Sequence, residues 1–399
     1  AGDVKRAALM VHAVFAGIVW AVTFFGADLI ARLLHDAALA SYIRIAAFIP
    51  LLYAFYAVMV GVLNGLKRFA AQAALDMTFS TLKMGLIIAL VLSGYAVAGA
   101  FSGFVLAAAI IMLLSAWTTR RVSVTADSAG RTRRLLAFMI PISLYTLCYN
   151  LLLNQDLLLI KSLQYGTLKT HFDSALGQLT LRLHYGAIGL DPAWLRAIGH
   201  GALSHDAATM GTSILAGYFG AMKTISNLPY QAVIAVTFVV FPLISQSSFR
   251  NDTAQTQRYV RNTFRFSYLV IMLLLSTLLP TGESLMAMVY GADYRVGGQA
   301  LKILLLGTVL FSLFVVCTTI ITSAGLPKTT LVLGALTALL NGGLCYWLIT
   351  HGEPGVAALT RAAWADLIAI GLGAVAGFVV IYRGLGASPP WWSLLRITL

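Results

Sequence analysis

The residues best placed to do chemistry are charged side chains inside long apolar stretches. Asp76, Ser80 and Lys83 follow one another at i, i+4 and i+7, which puts them on one face of a helix. Charges inside apolar helices are costly and usually face the interior of a bundle. The stripe therefore predicts a cavity lining in which Lys83 meets an anion such as phosphate. The alternative is an internal pair between Asp76 and Lys83, although a separation of two turns would strain a direct contact.

A second stretch carries groups suited to sugars. Tyr145 and Tyr149 share one helical face, and Asn150 and Asn154 lie on the adjacent face. Aromatic rings can stack on sugar rings, and amides can bond their hydroxyl groups. Asp156 continues the tyrosine face. It is a candidate site for a coupling cation or proton, or else it neutralises Lys161 or Lys223, and both readings stay open.

A third stretch places Lys223, Asn227 and Tyr230 at i, i+4 and i+7, with Pro229 between them. A proline inside a span predicts a kink, either a hinge for alternating access or a static bend. Arg361 is the candidate cation of the last stretch. The predicted substrate-binding residues of the cavity are Asp76, Lys83, Tyr149, Asn150, Asn154, Asp156, Lys223, Asn227 and Arg361. We predict no catalytic residue, no metal site and no enzyme activity.

The elements that position these residues are membrane-spanning helices. The 399-residue chain is 59% hydrophobic and 10% charged, whereas a soluble domain has about 25% charged residues. Continuous apolar runs predict an all-α polytopic bundle, because lipid cannot satisfy an open backbone. We predict ten spans, at roughly 7–27, 41–63, 71–92, 98–118, 136–160, 213–245, 263–281, 298–323, 329–349 and 355–381.

The net charge of +13 comes from short basic clusters between these spans. This is the positive-inside pattern, so it predicts orientation and contact with membrane lipids, and no nucleic-acid partner. The basic segment 119–134 predicts a cytoplasmic linker between an N-terminal lobe, 1–118, and a C-terminal lobe, 135–399. The segment 164–212 contains possible amphipathic helices near 171–185 and 192–200, which could lie on the membrane surface or contact a partner.

An internal repeat links the two lobes. Arg44 and Lys302 open similar spans, where they could also snorkel to headgroups, and each span ends at a Gly-Leu turn, at Gly65 and Gly325. Upstream, the acidic segment at Asp28 parallels that at Glu283. A shared offset with the same sidedness predicts parallel repeats around a central cavity. Six spans would then face four, and two further spans are expected before Ala1, twelve in all.

The order of several motifs resembles the Wzx-like polysaccharide flippases of the multidrug/oligosaccharidyl-lipid/polysaccharide exporter superfamily. These motifs are Asn154-Gln155-Asp156, Ala216-Gly217-Tyr218-Phe219, Phe241-Pro242 and Val289-Tyr290-Gly291. The resemblance implies twelve or more spans in two lobes of the bacterial inner membrane. It also implies that 164–212 is an external insertion, because the family usually has a short external loop there, and a surface elaboration is the favoured interpretation. It also implies translocation of a lipid-linked oligosaccharide or polysaccharide precursor to the periplasmic leaflet.

Two alternatives remain: a cation-coupled multidrug or small-molecule exporter, and a membrane subunit of a polysaccharide secretion machine. No nucleotide-binding loop occurs in the sequence, so we expect no organic cofactor and a possible coupling cation, Na⁺ or H⁺. A polysaccharide polymerase or secretion protein is a possible partner. We expect that replacing Lys83 or Lys223 with Ala abolishes translocation without loss of folding.

Overall fold

The structure is a computed structural model that describes residues 2–120, 129–173, 204–250 and 252–386. No β-strand occurs in these ranges. The helices are α1 Gly2–Phe25, α2 Ala27–Leu33, α3 Leu39–Ala46, α4 Phe48–Gly65, α5 Phe69–Leu90, α6 Ala96–Thr118, α7 Ala129–Asp173, α8 Ser204–Ser226, α9 Leu228–Phe249, α10 Thr253–Tyr290, α11 Gly298–Ser323, α12 Pro327–Thr350 and α13 Val356–Leu385. A short π-helix, Val91–Tyr95, joins α5 to α6, and a 3₁₀ turn, Ala292–Gly297, precedes α11.

Eight segments of the described part are long and apolar enough to cross a membrane. One of them, Phe69–Thr118, contains two helices, because the chain reverses at Gly94, where φ is +93°. The predicted all-α, polytopic fold class is confirmed, and the chain is a multi-pass membrane protein. The count of ten spans stays a prediction.

The chain forms two compact units, Ala1–Phe138 and Met139–Leu399. In the first unit, Tyr56, Leu63, Phe79 and Ile111 form a core between α4, α5 and α6. In the second unit α11 is the central helix, since it is buried on nearly all sides by its neighbours. The helix α7 begins at Ala129, inside the predicted linker, and the predicted lobe boundaries stay predictions.

Close contact between α5 and α6 depends on two glycines. A Cβ added at Gly99 would lie 2.9 Å from the backbone of Leu90, and one at Gly103 would lie 2.8 Å from the backbone of Ile87. Small residues let the backbones of membrane helices approach, because packing replaces the hydrophobic drive that lipid removes. This contact holds α5, which carries Asp76 and Lys83, in place.

The turns of the two repeats share their geometry at Lys67 and Gly325. Both residues have a left-handed backbone, with φ of +56° and +89°. Each N–H donates to the carbonyl three residues back, and the next N–H donates five residues back, as in a Schellman motif. The sequence match of Gly65 with Gly325 is therefore two residues out of register, because Gly65 still belongs to α4 and Lys67 holds the left-handed position.

Ion pairs form at the other end of the matched spans. Arg44 Nη2 lies 2.7 Å from Asp28 Oδ2, and Lys302 Nζ lies 2.9 Å from Glu283 Oε1. All four side chains are partly exposed. Arg44 and Lys302, the basic residues that open the spans, therefore each pair with an acidic residue. The repeat aligns these two acidic residues with each other.

The insertion at 164–212 is described only at its ends. Residues up to Asp173 extend α7, and residues from Ser204 begin α8. The predicted amphipathic helices near 171–185 and 192–200 lie almost wholly outside the described residues. The proline kink is present as a break at Asn227, where α8 ends and α9 begins with Pro229 in its first turn.

Candidate functional site

Three buried charges meet inside the second unit. Lys223, in the last turn of α8, forms ion pairs with Asp156 of α7 and with Asp366 of α13, the latter at 3.5 Å to Oδ2. Its ammonium also donates to the carbonyl of Leu153 at 2.6 Å. Both carboxylates are almost fully buried. We call this group the charged triad.

Amides hold the triad from the side. Asn341 of α12 donates from Nδ2 to Asp366 Oδ1 at 2.6 Å. Gln155 of α7 donates both to Asn341 Oδ1 and, at 2.9 Å, to the carbonyl of Ala338. The network connects α7, α8, α12 and α13, so a change of charge in the triad reaches four helices. Buried polar networks of this kind make the packing of their helices specific.

The formal charges of the triad do not balance. Two carboxylates face one ammonium, so one negative charge is left over when all three are ionised. Burying such an excess is costly unless another group compensates it. A proton or a monovalent cation is the smallest species that does so. A cavity of about 20 Å³, lined by Lys223, Asp366, Asn227 and Thr308, adjoins the triad and has room for about one water molecule.

The predicted sugar-binding tyrosines pack inside the second unit. Tyr149 lies 5.5 Å from the ring of Phe311 and 6.2 Å from that of Tyr230, measured between centroids. Tyr145 donates its hydroxyl hydrogen to Thr318 Oγ1 at 2.7 Å. The hydroxyl of Tyr149 is buried and has no partner among the described residues. This hydroxyl is thus available to a further ligand or water.

The two predicted asparagines of α7 face outward. Asn150 and Asn154 are exposed, and their amides donate to carbonyls one turn back on the same helix. Lys161 donates to Ser213 Oγ at 3.1 Å, so Lys223 is the partner of Asp156. Arg361 is half-buried, and its guanidinium donates to the carbonyl of Glu353, in the loop before α13.

In the first unit, Asp76 and Lys83 do not form a pair. Asp76 accepts a hydrogen bond of 2.5 Å from the hydroxyl of Tyr56 and a longer one from Gln72. The ammonium of Lys83 lies over two rings, 5.6 Å from the centroid of Phe79 and 5.2 Å from that of Phe104. No carboxylate of the described residues pairs with it. Lys83 is therefore a cation held by aromatic faces, with its charge available to an anion.

The structure brings three of the predicted residues together: Asp156 and Lys223 belong to the triad, and Asn227 lines its cavity. Asp76 and Lys83 lie in the other unit, and Arg361 bonds a loop. Asp366, Asn341 and Gln155 were not predicted as site residues. A signal existed for Asp366, which is the only acid of the apolar helix α13.

Residues 4–167 match the family described as polysaccharide biosynthesis protein. Among solved structures, the chain resembles the lipid II flippase MurJ in an inward closed conformation, with a TM-score of 0.67, 12% identity and coverage of 99% of this chain and 74% of that one. It also resembles an outward-facing multidrug resistance MATE family transporter of the MOP superfamily, with a TM-score of 0.65, 14% identity and coverage of 100% and 78%. The inward-facing conformation of such a transporter matches with a TM-score of 0.65, 15% identity and coverage of 100% and 81%. No curated protein matches the sequence significantly.

These findings confirm the resemblance stated from the sequence. The chain has the flippase-like membrane fold that the MATE transporters and MurJ share. Both a drug transporter class and a lipid flippase are among the similar structures, so the substrate is a matter for proposal.

Proposed function

We propose that this protein is a flippase that moves a lipid-linked oligosaccharide or polysaccharide precursor from the cytoplasmic to the periplasmic leaflet of a bacterial inner membrane. The observation that carries the proposal is the match of residues 4–167 to polysaccharide biosynthesis proteins. A fold shared with a lipid II flippase supports the same class of substrate. Alternating access between two lobes fits a fold seen in inward- and outward-facing relatives.

Lys83 is the proposed ligand of the substrate phosphate. A lipid-linked sugar carries an anionic diphosphate, and crossing hydrocarbon requires a compensating cation. Lys83 is suited to this role because aromatic rings hold its ammonium and no carboxylate of the described residues competes for it. Asp76, held by the hydroxyl of Tyr56, can accept hydrogen bonds from sugar hydroxyls.

The charged triad is the proposed place of ion coupling. Lys223 already compensates one of its two carboxylates. The second carboxylate favours a proton or a sodium ion, whose binding would change the attraction between α7, α8 and α13. Coupling at this network would transmit ion binding to helix packing without any nucleotide.

A cation-coupled multidrug exporter is the second candidate. Two observations favour it: the triad has buried carboxylates, and drug transporters of this fold are among the similar structures. It predicts transport of apolar cations, whereas the flippase predicts transport of an anionic, sugar-bearing lipid.

Reconstituted vesicles separate the two candidates. The purified chain is inserted into liposomes with a fluorescent diphosphate-linked oligosaccharide lipid, and translocation is measured by a membrane-impermeant quencher. A cationic dye tests the exporter in parallel vesicles. Translocation of the lipid alone supports the flippase, and transport of the dye alone overturns the flippase proposal. Empty liposomes and a fluorescent phospholipid without sugar are the controls.

A further inference from the structure

A groove of about 600 Å³ runs between α9 and α10 on the second unit. On α9 it is lined by Val236, Val239 and Leu243, and on α10 by Phe266 and Val270. Polar groups appear only toward one end, at Tyr259, Asn262 and Thr263. Along α10 the lining runs from residue 259 to residue 270, or about 17 Å at 1.5 Å per residue. The groove is thus apolar along most of its length, with polar groups at one end.

Three arginines of α10 stand beside the groove, from its polar end to the level of Phe266. Arg258, Arg261 and Arg265 are exposed and recur at i, i+3 and i+7, which places them on one side of the helix. That side borders the face that lines the groove, with Arg258 next to Tyr259 and Arg265 next to Phe266 in the chain. None of the three forms an ion pair with any described residue, and the only acid of α10 is Glu283, near its far end.

The exposed residues of α10 change from charged to apolar directly after Arg265. Phe266, Leu269 and Leu273 are exposed apolar side chains on the same side of the helix. A change from arginine to exposed apolar residues marks the boundary between lipid headgroups and hydrocarbon. The arginines and Asn262 therefore lie at headgroup level, and the apolar part of the groove lies at the level of the acyl chains.

We propose that the groove between α9 and α10 is a binding site for an anionic phospholipid. One acyl chain lies along Val239, Phe266 and Val270, and the phosphate-bearing headgroup meets Arg258 and Arg265. Charge complementarity identifies the occupant, because three arginines that pair with no described acid stand beside an apolar groove at the depth of the headgroups. A zwitterionic lipid would fill the groove equally well but would leave more of that positive charge uncompensated.

The test measures lipid binding to the purified full chain by native mass spectrometry. Phosphatidylglycerol and phosphatidylcholine with identical acyl chains are compared at low and high ionic strength. We expect preferential binding of phosphatidylglycerol. In the Arg258→Gln/Arg265→Gln variant the preference should fall about tenfold or more, as expected for the loss of two cations near a headgroup. Arg383→Gln, which removes an exposed arginine of α13, should leave it unchanged.

A second variant tests the groove itself. Val239→Trp fills the apolar part of the groove and should weaken binding of both lipids, whereas Val379→Trp, at an exposed position of α13, should weaken neither. Unchanged phosphatidylglycerol preference in the arginine variant overturns the proposal. Two results for Val239→Trp also overturn it. If the variant weakens only the binding of a polyprenyl diphosphate, the groove is a substrate site. If it changes only the mass of the oligomer, the groove is an interface between copies.

Discussion

Each unit of this protein carries a helical lysine with a defined set of partners, and the two lysines have opposite surroundings. In the second unit, Lys223 is held between two buried carboxylates and a carbonyl. In the first, Lys83 rests against the faces of Phe79 and Phe104, and no described carboxylate pairs with it. A charge that is already compensated contributes to packing and coupling, whereas a charge held only by rings stays available to an anionic ligand.

The contrast has a further consequence for stability. Removing one partner of a buried ion pair strands a charge, at a cost of about 3–5 kcal/mol. Removing a cation from a ring face costs roughly 0.5–1 kcal/mol at partly exposed sites. Loss of Lys223 should therefore lower mainly the stability of the protein, and loss of Lys83 should lower mainly transport.

The largest effect is expected for Lys223→Met. It leaves Asp156 and Asp366 facing each other in a buried site, and we expect a loss of about 3–5 kcal/mol in the free energy of unfolding. This revises the expectation from the sequence that Lys223 can be replaced without loss of folding. Thermal unfolding of the purified variant in detergent measures it.

A compensated variant shows whether stranded charge is the cause. Lys223→Met combined with Asp156→Asn and Asp366→Asn removes all three charges, and most of the lost stability should return. If the single variant unfolds at the temperature of the parent protein, the triad does not hold these helices together.

The second effect is expected for Lys83→Ala, and in transport. Translocation of a diphosphate-linked lipid in vesicles should fall at least about tenfold, because removing a charge-assisted contact costs about 1.5–3 kcal/mol. The midpoint of unfolding should change little. Lys83→Arg should keep most of the activity, and Arg68→Ala, which removes an exposed cation from the turn before α5, is the matched control. Undiminished translocation by Lys83→Ala would exclude this lysine as the phosphate ligand.

Part of the site could be predicted from the sequence, because the energetics of a charge in lipid depend on residue type and depth. Asp156 and Lys223 were identified in this way, with each as a possible partner of the other. Asp366 and Asn341 come from helices near the end of the chain, far from α7 and α8. The periodicity of one helix shows which residues share a face but not which other helix that face meets.

The fold followed more directly from the sequence, since long apolar runs have few alternatives to membrane helices. The repeat was visible as well, down to the basic residues Arg44 and Lys302 that pair with Asp28 and Glu283. Its register at the turn was wrong by two residues. Glycine identity suggested Gly65, whereas the hydrogen bonds that close the helix place Lys67 opposite Gly325.

The smallest effects compare those two turns. A residue other than glycine in the left-handed region costs roughly 1 kcal/mol, because its Cβ approaches the next carbonyl oxygen. Lys67→Gly should therefore stabilise the first unit slightly, whereas Gly325→Ala should destabilise the second by about 1 kcal/mol. The nearest atom to a Cβ at Gly325 is 3.6 Å away, in Phe249, so steric crowding adds nothing to that cost.

Gly65→Ala is the control: Gly65 is helical and has open space around it, so alanine should be neutral or mildly stabilising there. Unfolding midpoints of the three variants measure the differences. A loss of stability in Lys67→Gly would mean that the lysine side chain contributes more at this turn than the strain it causes, and that the two turns share geometry but not energetics.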